Sequence, residues 1–356
     1  MATSAQSSGG IDLIPGYQHR LTAGEIGEWN QWGRLRKVLL GTWEHTRWPW
    51  FNDGGLPENL DYIADDRRAV MIDNGGKLMS DTDPKLLAAL QGEIAALRST
   101  LEGFGVETHT LRAPTAQEVA MSSFAGGGFV QGYAAEPFWL LGNHLVENMW
   151  RSPQGHQSYK WSARDIVQPW IDADPAVRHH CPPFTKPVER IGVDGDYYYE
   201  GGDVEKVGDG NVLVAVERHS TNDRGAEWLR RLLEDDGFKV TIVHLNDTGI
   251  LHLYAVLCLA GPGLAIAYKP SFPGGVLPAP IDDWDVIWLD DDEAQAMGAC
   301  NIMVDRTHMI IPSACPRLAD ELAQHGVTAV PVDITNHAPF GGGLRCLAGV
   351  IHREID

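Results

Sequence analysis

Apolar positions along the chain follow two periods that alternate. Between residues 84 and 104, Leu86, Leu87, Leu90, Ile94, Leu97 and Leu101 recur at the spacing of one helical face. Gly105 follows, and residues 106–111 then alternate like a strand. The same text returns twice. Residues 224–236 are amphipathic through Trp228, Leu229, Leu232 and Leu233, with Gly237 and a strand over 240–245 behind them. Residues 316–324 predict a short helix, followed by Gly326 and a strand over 327–332. Between these units lie paired apolar runs broken by turn residues. They cover 138–146 with Gly142-Asn143, 203–216 with Gly208-Asp209-Gly210, 257–267 with Gly261-Pro262-Gly263, and 301–311 with Asp305-Arg306. A further strand is predicted over 35–41, and residues 42–57, rich in Trp and Gly, read as a long loop.

Helix, strand and hairpin thus recur about five times, and supersecondary units that repeat bury a shared core. The class is α/β. The conservative architecture is one domain with mixed sheets; the bolder one is a closed ring of five units around a central site. Residues 1–25, which open on a Ser/Ala/Gly-rich stretch without the features of a signal peptide, are expected to be a disordered tail, and residues 26–356 a single domain.

Composition narrows the partners. The chain has 356 residues, 44% of them apolar, enough for a substantial core, and a formal net charge of −20. That charge argues against nucleic acid or an anionic membrane as partner and is compatible with a cationic substrate. No apolar run is long enough to span a bilayer. The five cysteines, Cys181, Cys258, Cys300, Cys315 and Cys346, form no CxxC pair. Reduced thiols in a cytoplasmic compartment are expected rather than a disulfide framework or a structural zinc site.

Three motifs carry candidate chemistry. Gly341-Gly342-Gly343-Leu344-Arg345-Cys346 ends a glycine run on a cysteine, where backbone can approach a ligand closely and a thiol can stand at a pocket mouth. Glu200-Gly201-Gly202-Asp203 is a tight bend able to aim Asp203 inward. Leu251-His252-Leu253-Tyr254 is read as a strand start, where His252 and Tyr254 face one side. Singly, these are a buried small hydrophobe, a Gly-Gly turn and a core histidine. Jointly, Cys346, His252 and Asp203 are the parts of a nucleophile, a proton shuttle and an orienting carboxylate. Two other clusters carry less. His179-His180-Cys181 lacks a matching second set of metal ligands, and residues 290–293 read as a solvated acidic loop.

The ordered set of these motifs, with Thr221-Asn222, Gly225, Trp228, Gly261-Pro262-Gly263 and Asn301-Ile302-Met303 between them, resembles the guanidino-group-modifying enzymes, the pentein superfamily. Within it the chain is most similar to the amidinotransferases, from about residue 32 to 354. The resemblance implies a five-bladed α/β propeller and no metal or organic cofactor. It implies that Cys346 attacks a guanidino carbon while His252, held by Asp203, moves protons. An amidino group then passes through amidino-Cys346 from an arginine-like donor to an amine acceptor. It places Glu136, Tyr254, Glu200, Asn301 and Arg345 around the substrate and is compatible with a homodimer.

The chain departs from the family at two places. Ala135-Glu136 stands where many relatives have Arg-Asp, and Tyr254 where many have the second Asp that grips the guanidinium. Arg345 replaces a frequent His; it could lower the Cys346 pKa, bind an acidic substrate group, or form a surface ion pair. A modified specificity pocket is therefore expected. A hydrolase on the same triad, or a pentein-fold binding protein without activity, are the alternatives.

Overall fold

The computed structural model describes residues 25–49, 60–124, 129–151, 157–182 and 196–355. The expected tail lies outside the described residues except for Glu25, as do Trp50 and Pro57 of the expected loop.

Among the described residues, five three-stranded sheets share one plan. In four of them a hairpin joins two antiparallel strands, and a third strand runs parallel to the second. These sheets comprise Phe138–Leu141, His144–Glu147 and Arg178–His180; Val204–Gly208, Asn211–Val216 and Lys239–His244; Leu257–Gly261, Leu264–Ala267 and Asp285–Trp288; and Ile302–Asp305, His308–Pro312 and Thr328–Val332. In the fifth, Leu35–Leu40 pairs parallel with Glu107–Thr110 and antiparallel with Ala348–Arg353 from the other end of the chain. The turn residues read from the sequence sit at the four hairpins.

Helices cross from the middle strand to the parallel one because a parallel pair cannot be joined by a tight turn. They are Pro84–Gly103, Gln157–Ala173, Asp223–Glu234 and Pro316–Gln324. Asp83 starts the first by accepting from Leu86 N at 2.9 Å, and Asn222 the third by accepting from Gly225 N at 2.9 Å. Between Leu264–Ala267 and Asp285–Trp288 the crossover contains the 3₁₀ turns Lys269–Ser271 and Pro273–Gly275. No described helix is long and apolar enough to cross a membrane.

Three local expectations are corrected. Thr42–Arg47 is a strand paired with Phe129–Gln131, and Trp43 and Trp48 are buried in the core. Packing of both rings on Phe340 outweighs the loop-like Gly and Trp content. The acidic run forms a capping box, in which Asp290 accepts from Glu293 N and Glu293 from Asp290 N, and it opens the helix Asp291–Gln295. Glu293 is buried and paired with Arg317, while Asp290, Asp291 and Asp292 are exposed as expected. Residues 252–254 are not a strand start: His252 has φ +72° and Leu253–Ala255 is a 3₁₀ turn.

Candidate active site

The three motifs meet. Each residue of the glycine run lacks a side chain for a packing reason. A Cβ on Gly341 would fall 2.6 Å from the Tyr62 ring, on Gly342 2.2 Å from Tyr133, and on Gly343 2.4 Å from Cys300. The run leads into the helical turn Leu344–Leu347, whose start places Gly343 N–H 3.3 Å from Cys346 Sγ as donor. Upstream, the buried His337 anchors this arm. Its Nδ1 pairs with Glu93 on the Pro84–Gly103 helix, and its Nε2 accepts from Trp43 Nε1 at 2.9 Å. Neither Glu93 nor His337 stands out from motif spacing. The available signal is a carboxylate on the apolar stripe of a helix, between Leu90 and Ile94.

Glu200 and Asp203 flank the 3₁₀ turn Gly201–Asp203. Its glycines make room for neighbours: a Cβ on Gly201 would strike the Trp139 side chain at 2.6 Å, and one on Gly202 the His252 ring at 2.4 Å. The Asn148 side chain accepts from Gly201 N at 2.9 Å and donates to Glu136 O at 2.8 Å, tying the bend to the Glu136 segment. Ala135 N in turn donates to Cys346 O at 3.1 Å.

The carboxylate partners of His252 differ from the expected arrangement. His252 Nε2 donates to Glu200 Oε2 at 3.0 Å. Asp203 accepts from Ser220 Oγ, from Thr221 N at 3.2 Å and from Leu253 N at 3.1 Å. Asp203 thus fixes the backbone beside the histidine, and Glu200 holds the ring. The bend turns Glu200 as well as Asp203 inward, which the motif alone does not reveal.

Glu136, Glu200 and His252 present ligand atoms within 4.8 Å of one another, and all three are buried. Glu136 accepts weakly from Trp150 Nε1 and Tyr254 Oη, both at 3.4 Å. The Tyr254 and His252 rings lie 5.3 Å apart between centroids. Arg345 and Asn301 stand otherwise than expected. Arg345 is not a surface residue: its guanidinium pairs with the buried Glu205 and lies 5.0 Å over the Tyr254 ring. The Asn301 amide donates to Gly298 O at 2.7 Å, and its Oδ1 is buried without a hydrogen-bond partner.

The environment sets the protonation states. Burial pushes Glu200 up to about 7, although the bond from His252 opposes the shift. Burial alone would lower His252; the Glu200 bond and the charges of Asp203 and Glu136 outweigh it and raise its pKa well above the ordinary value. Burial, then the Cys300 thiol beside it, raises Cys346 well above the usual thiol range, while a hydrogen bond from Tyr254 acts the other way. At neutral pH the site therefore rests as a thiol and an imidazolium among buried carboxylates.

Two groups among the described residues have metal-ligand spacing: Glu136, Glu200 and His252, and Glu147, His179 and Cys181. The second contains part of the weakly rated histidine run. There the Glu147 carboxylate is taken by Arg164 at 2.6 Å and Lys160 at 3.6 Å, so its charge is already balanced.

A cleft of about 610 Å³ adjoins the glycine arm through Tyr62 and Met297, which both pack on it. Among its described lining residues the formally charged ones are Asp61, Asp65 and Asp333.

No family model matches the chain. Glycine amidinotransferase of Xenopus tropicalis is 25% identical over 159 residues, 41% of this chain and 36% of that protein. The chain thus spans about a third of the first curated relatives it matches. L-arginine:L-lysine amidinotransferase of Pseudomonas savastanoi pv. phaseolicola is 21% identical across 92% of this chain and 94% of its own. The solved inosamine-phosphate amidinotransferase StrB1 of Streptomyces griseus shares the fold, with a TM-score of 0.74 at 16% identity, over 94% of this chain and 98% of that one.

Proposed function

We propose that this amidinotransferase-like chain of the guanidino-group-modifying (pentein) superfamily moves an amidino group from a guanidino donor to an amine through Cys346. The observation that carries the reading is a buried Cys346 thiol hydrogen-bonded by Tyr254, whose hydroxyl also meets Glu136 of the buried Glu136, Glu200 and His252 cluster. A planar cation that can accept the thiol's attack answers both features, since carboxylates bind guanidinium in its plane through charge-assisted hydrogen bonds.

In this reading the guanidinium enters between Glu136 and Glu200. Its charge lowers the Cys346 pKa, and the thiol proton passes to solvent as the cation binds. The thiolate attacks the central carbon, and the His252 imidazolium protonates the departing amine nitrogen as the C–N bond breaks. An amidino group stays on sulfur and His252 is left neutral. His252 then takes a proton from the incoming amine, which attacks the same carbon; the C–S bond breaks and the thiolate returns. Glu200 holds the ring and favours its charged form, while Asp203 positions the backbone that carries it. The chain needs no cofactor for these steps.

The cleft narrows the substrates. Of its described acids, Asp61 is paired with Arg218 and His219 and Asp65 with Arg68, while Asp333 meets only Thr335; that remaining charge favours a donor or acceptor whose far end is neutral or cationic over one ending in a carboxylate. Tyr254 in place of a second gripping Asp supports the same altered specificity. We read the five like sheets as blades of one closed propeller spanning residues 26–356, supported by the C-terminal strand that completes the first sheet. Five unpaired cysteines support a reducing, cytoplasmic setting.

Intact-mass measurement after brief incubation with guanidino compounds tests the mechanism. A wild-type adduct of amidino mass, absent in Cys346→Ala and discharged by an amine, is expected. Repeated turnover with no amine acceptor present, releasing ammonia or an alkylamine together with a urea-type product, would replace transfer by hydrolysis. Neither adduct nor turnover with any guanidino compound would refute both.

A further inference from the structure

The candidate nucleophile has a second sulfur beside it. Cys300 Sγ lies 3.5 Å from Cys346 Sγ, and both side chains are buried. Their backbones run side by side here. Arg345 N donates to Cys300 O at 3.1 Å, and the Gly343 backbone packs directly on the Cys300 side chain. We propose that Cys300 and Cys346 form a modification site for hydroperoxides, at which the nucleophile is stored as a reversible Cys300–Cys346 disulfide.

A disulfide has an S–S length of about 2.05 Å, so the sulfurs must close by roughly 1.5 Å. Rotation about the two Cα–Cβ bonds moves sulfurs by this order of distance. Access follows from the proposed function, on which this one point rests: a thiol reached by a guanidino carbon is also reached by the smaller hydrogen peroxide. The two sulfurs share a proton across their 3.5 Å contact, and with that proton on Cys300 the Cys346 thiolate attacks one peroxide oxygen; the S–O bond forms, the O–O bond breaks, and the second oxygen leaves as hydroxide, which takes a proton from solvent to become water. Sulfur is oxidised by two electrons to sulfenic acid and the peroxide is reduced. Cys300 sulfur then attacks Cys346 sulfur; the S–S bond forms, the S–O bond breaks, and hydroxide takes the Cys300 proton to leave as a second water.

Cys300 suits the second step. Burial pushes its thiol up, but hydrogen bonds from Cys346 and from nearby backbone N–H groups, with the Arg345 charge, bring it below the ordinary value. A thiolate is the form that resolves a sulfenic acid. Without it, the sulfenic acid goes on to sulfinic acid, which ordinary thiols do not reverse. Cys300 thereby protects the nucleophile as well as switching it off.

The test treats the full-length protein with hydrogen peroxide and maps its peptides without reduction. The expected product joins the peptides carrying Cys300 and Cys346 with loss of two hydrogens, and dithiothreitol restores both thiols. In Cys300→Ser the cross-link is absent, and Cys346 carries sulfinic acid that dithiothreitol leaves in place. A wild-type map showing Cys346 sulfinic acid without the cross-link, or Cys346 joined to another cysteine, overturns the proposal. The wild-type map suffices if Cys300→Ser fails to fold. Because mass reads the product, a cross-link in a protein without transferase turnover would sink the assigned function and leave this site standing; turnover without a cross-link would do the reverse.

Discussion

Arg345 and Cys346 are neighbours on one helical turn, yet they serve two clusters of buried charge built on opposite principles. On the Arg345 side, Glu28 lies between Lys206 at 2.6 Å and Arg353 at 3.2 Å, and Glu205 takes Arg345. Arg353 also donates to Gly33 O and Met303 O, at 2.6 and 2.7 Å. Two carboxylates meet three cations, and the network joins the N-terminal segment, the C-terminal strand and two further sheets. On the Cys346 side, Glu136, Glu200 and Asp203 share the single cation His252. Burial of charge is tolerated only where it is paired. In the first cluster every charged group meets an opposite charge, and it acts as framework. The second has three acidic groups to one cation, which is the property expected of a site that awaits a cationic ligand.

The comparison breaks first at Cys346→Ala, which should reduce amidino transfer to background while leaving thermal unfolding close to wild type. A loss of stability as large as that of a framework variant would show that the turn is held by its sulfur, not by its glycines.

Glu200 and Glu205, on the two sides of one hairpin entry, provide the sharper contrast. Glu205→Gln leaves Arg345 buried without its partner and should cost about 3–5 kcal/mol of stability, read from denaturant unfolding, with the pH dependence of any remaining activity unchanged. Glu200→Gln should lower kcat by about 10²-fold or more, since it removes the group that holds the proton-transferring histidine. It should also shift the pH profile. The bond from Glu200 raises the His252 pKa, so its loss moves the alkaline limb, where the imidazolium is lost, to lower pH. Glu200 is raised in the folded state to about 7 from an ordinary 4.5. Its favourable contribution is therefore complete below pH 4.5 and lost as pH rises through about 7. The wild type should lose stability across that window relative to Glu200→Gln. If both variants lose stability alike and keep activity, the two clusters are one framework.

Tyr254→Phe comes next. It removes the hydroxyl that donates to Glu136 and acts on Cys346 but keeps the ring beneath Arg345. A long hydrogen bond of this kind is worth about 0.5–1.5 kcal/mol, so kcat/KM should fall roughly 2- to 10-fold with little change in melting temperature. An unchanged kcat/KM would assign Tyr254 to packing alone.

What was legible in the sequence divides along the same boundary. The four hairpins and three of the four crossover helices follow from local periodicity and turn residues, which act within a few positions, so their limits are close to those read from the text; Gln157–Ala173, with Pro169 inside it, is missed. The meeting of Cys346, His252 and the Glu200–Asp203 bend was legible through motif types. Which acid holds the ring was not, because Glu200 and Asp203 share one short bend and only the position of residue 252 decides between them. His252 and Tyr254 do share a region, but through a positive-φ residue and a 3₁₀ turn rather than strand alternation. The framework was hidden altogether: Glu28, Glu205, Lys206, Arg345 and Arg353 are ordinary surface residue types in ordinary spacing, and only the closure of distant segments makes them a network. Arg345 shows this most plainly, since its place beside the cysteine suggests substrate while its partner lies 140 positions away.

The smallest expected effect concerns the cleft that adjoins the glycine arm. Asp333 lines the cleft and accepts from Thr335 N at 3.0 Å and from the Thr335 hydroxyl. Those bonds lower its pKa, so it is charged throughout the neutral range. Asp333→Asn keeps an acceptor for the turn and removes the charge. If the cleft attracts cationic substrates, kcat/KM should fall about two- to threefold at low ionic strength, mainly through KM. The difference should fade as salt shortens the Debye length to about 8 Å near physiological strength. A neutral substrate should show no change. A substrate with a free carboxylate should gain, and a gain confined to such substrates would mean that the cleft rejects anions by charge alone and that specificity for the cation resides deeper, at Glu136 and Glu200.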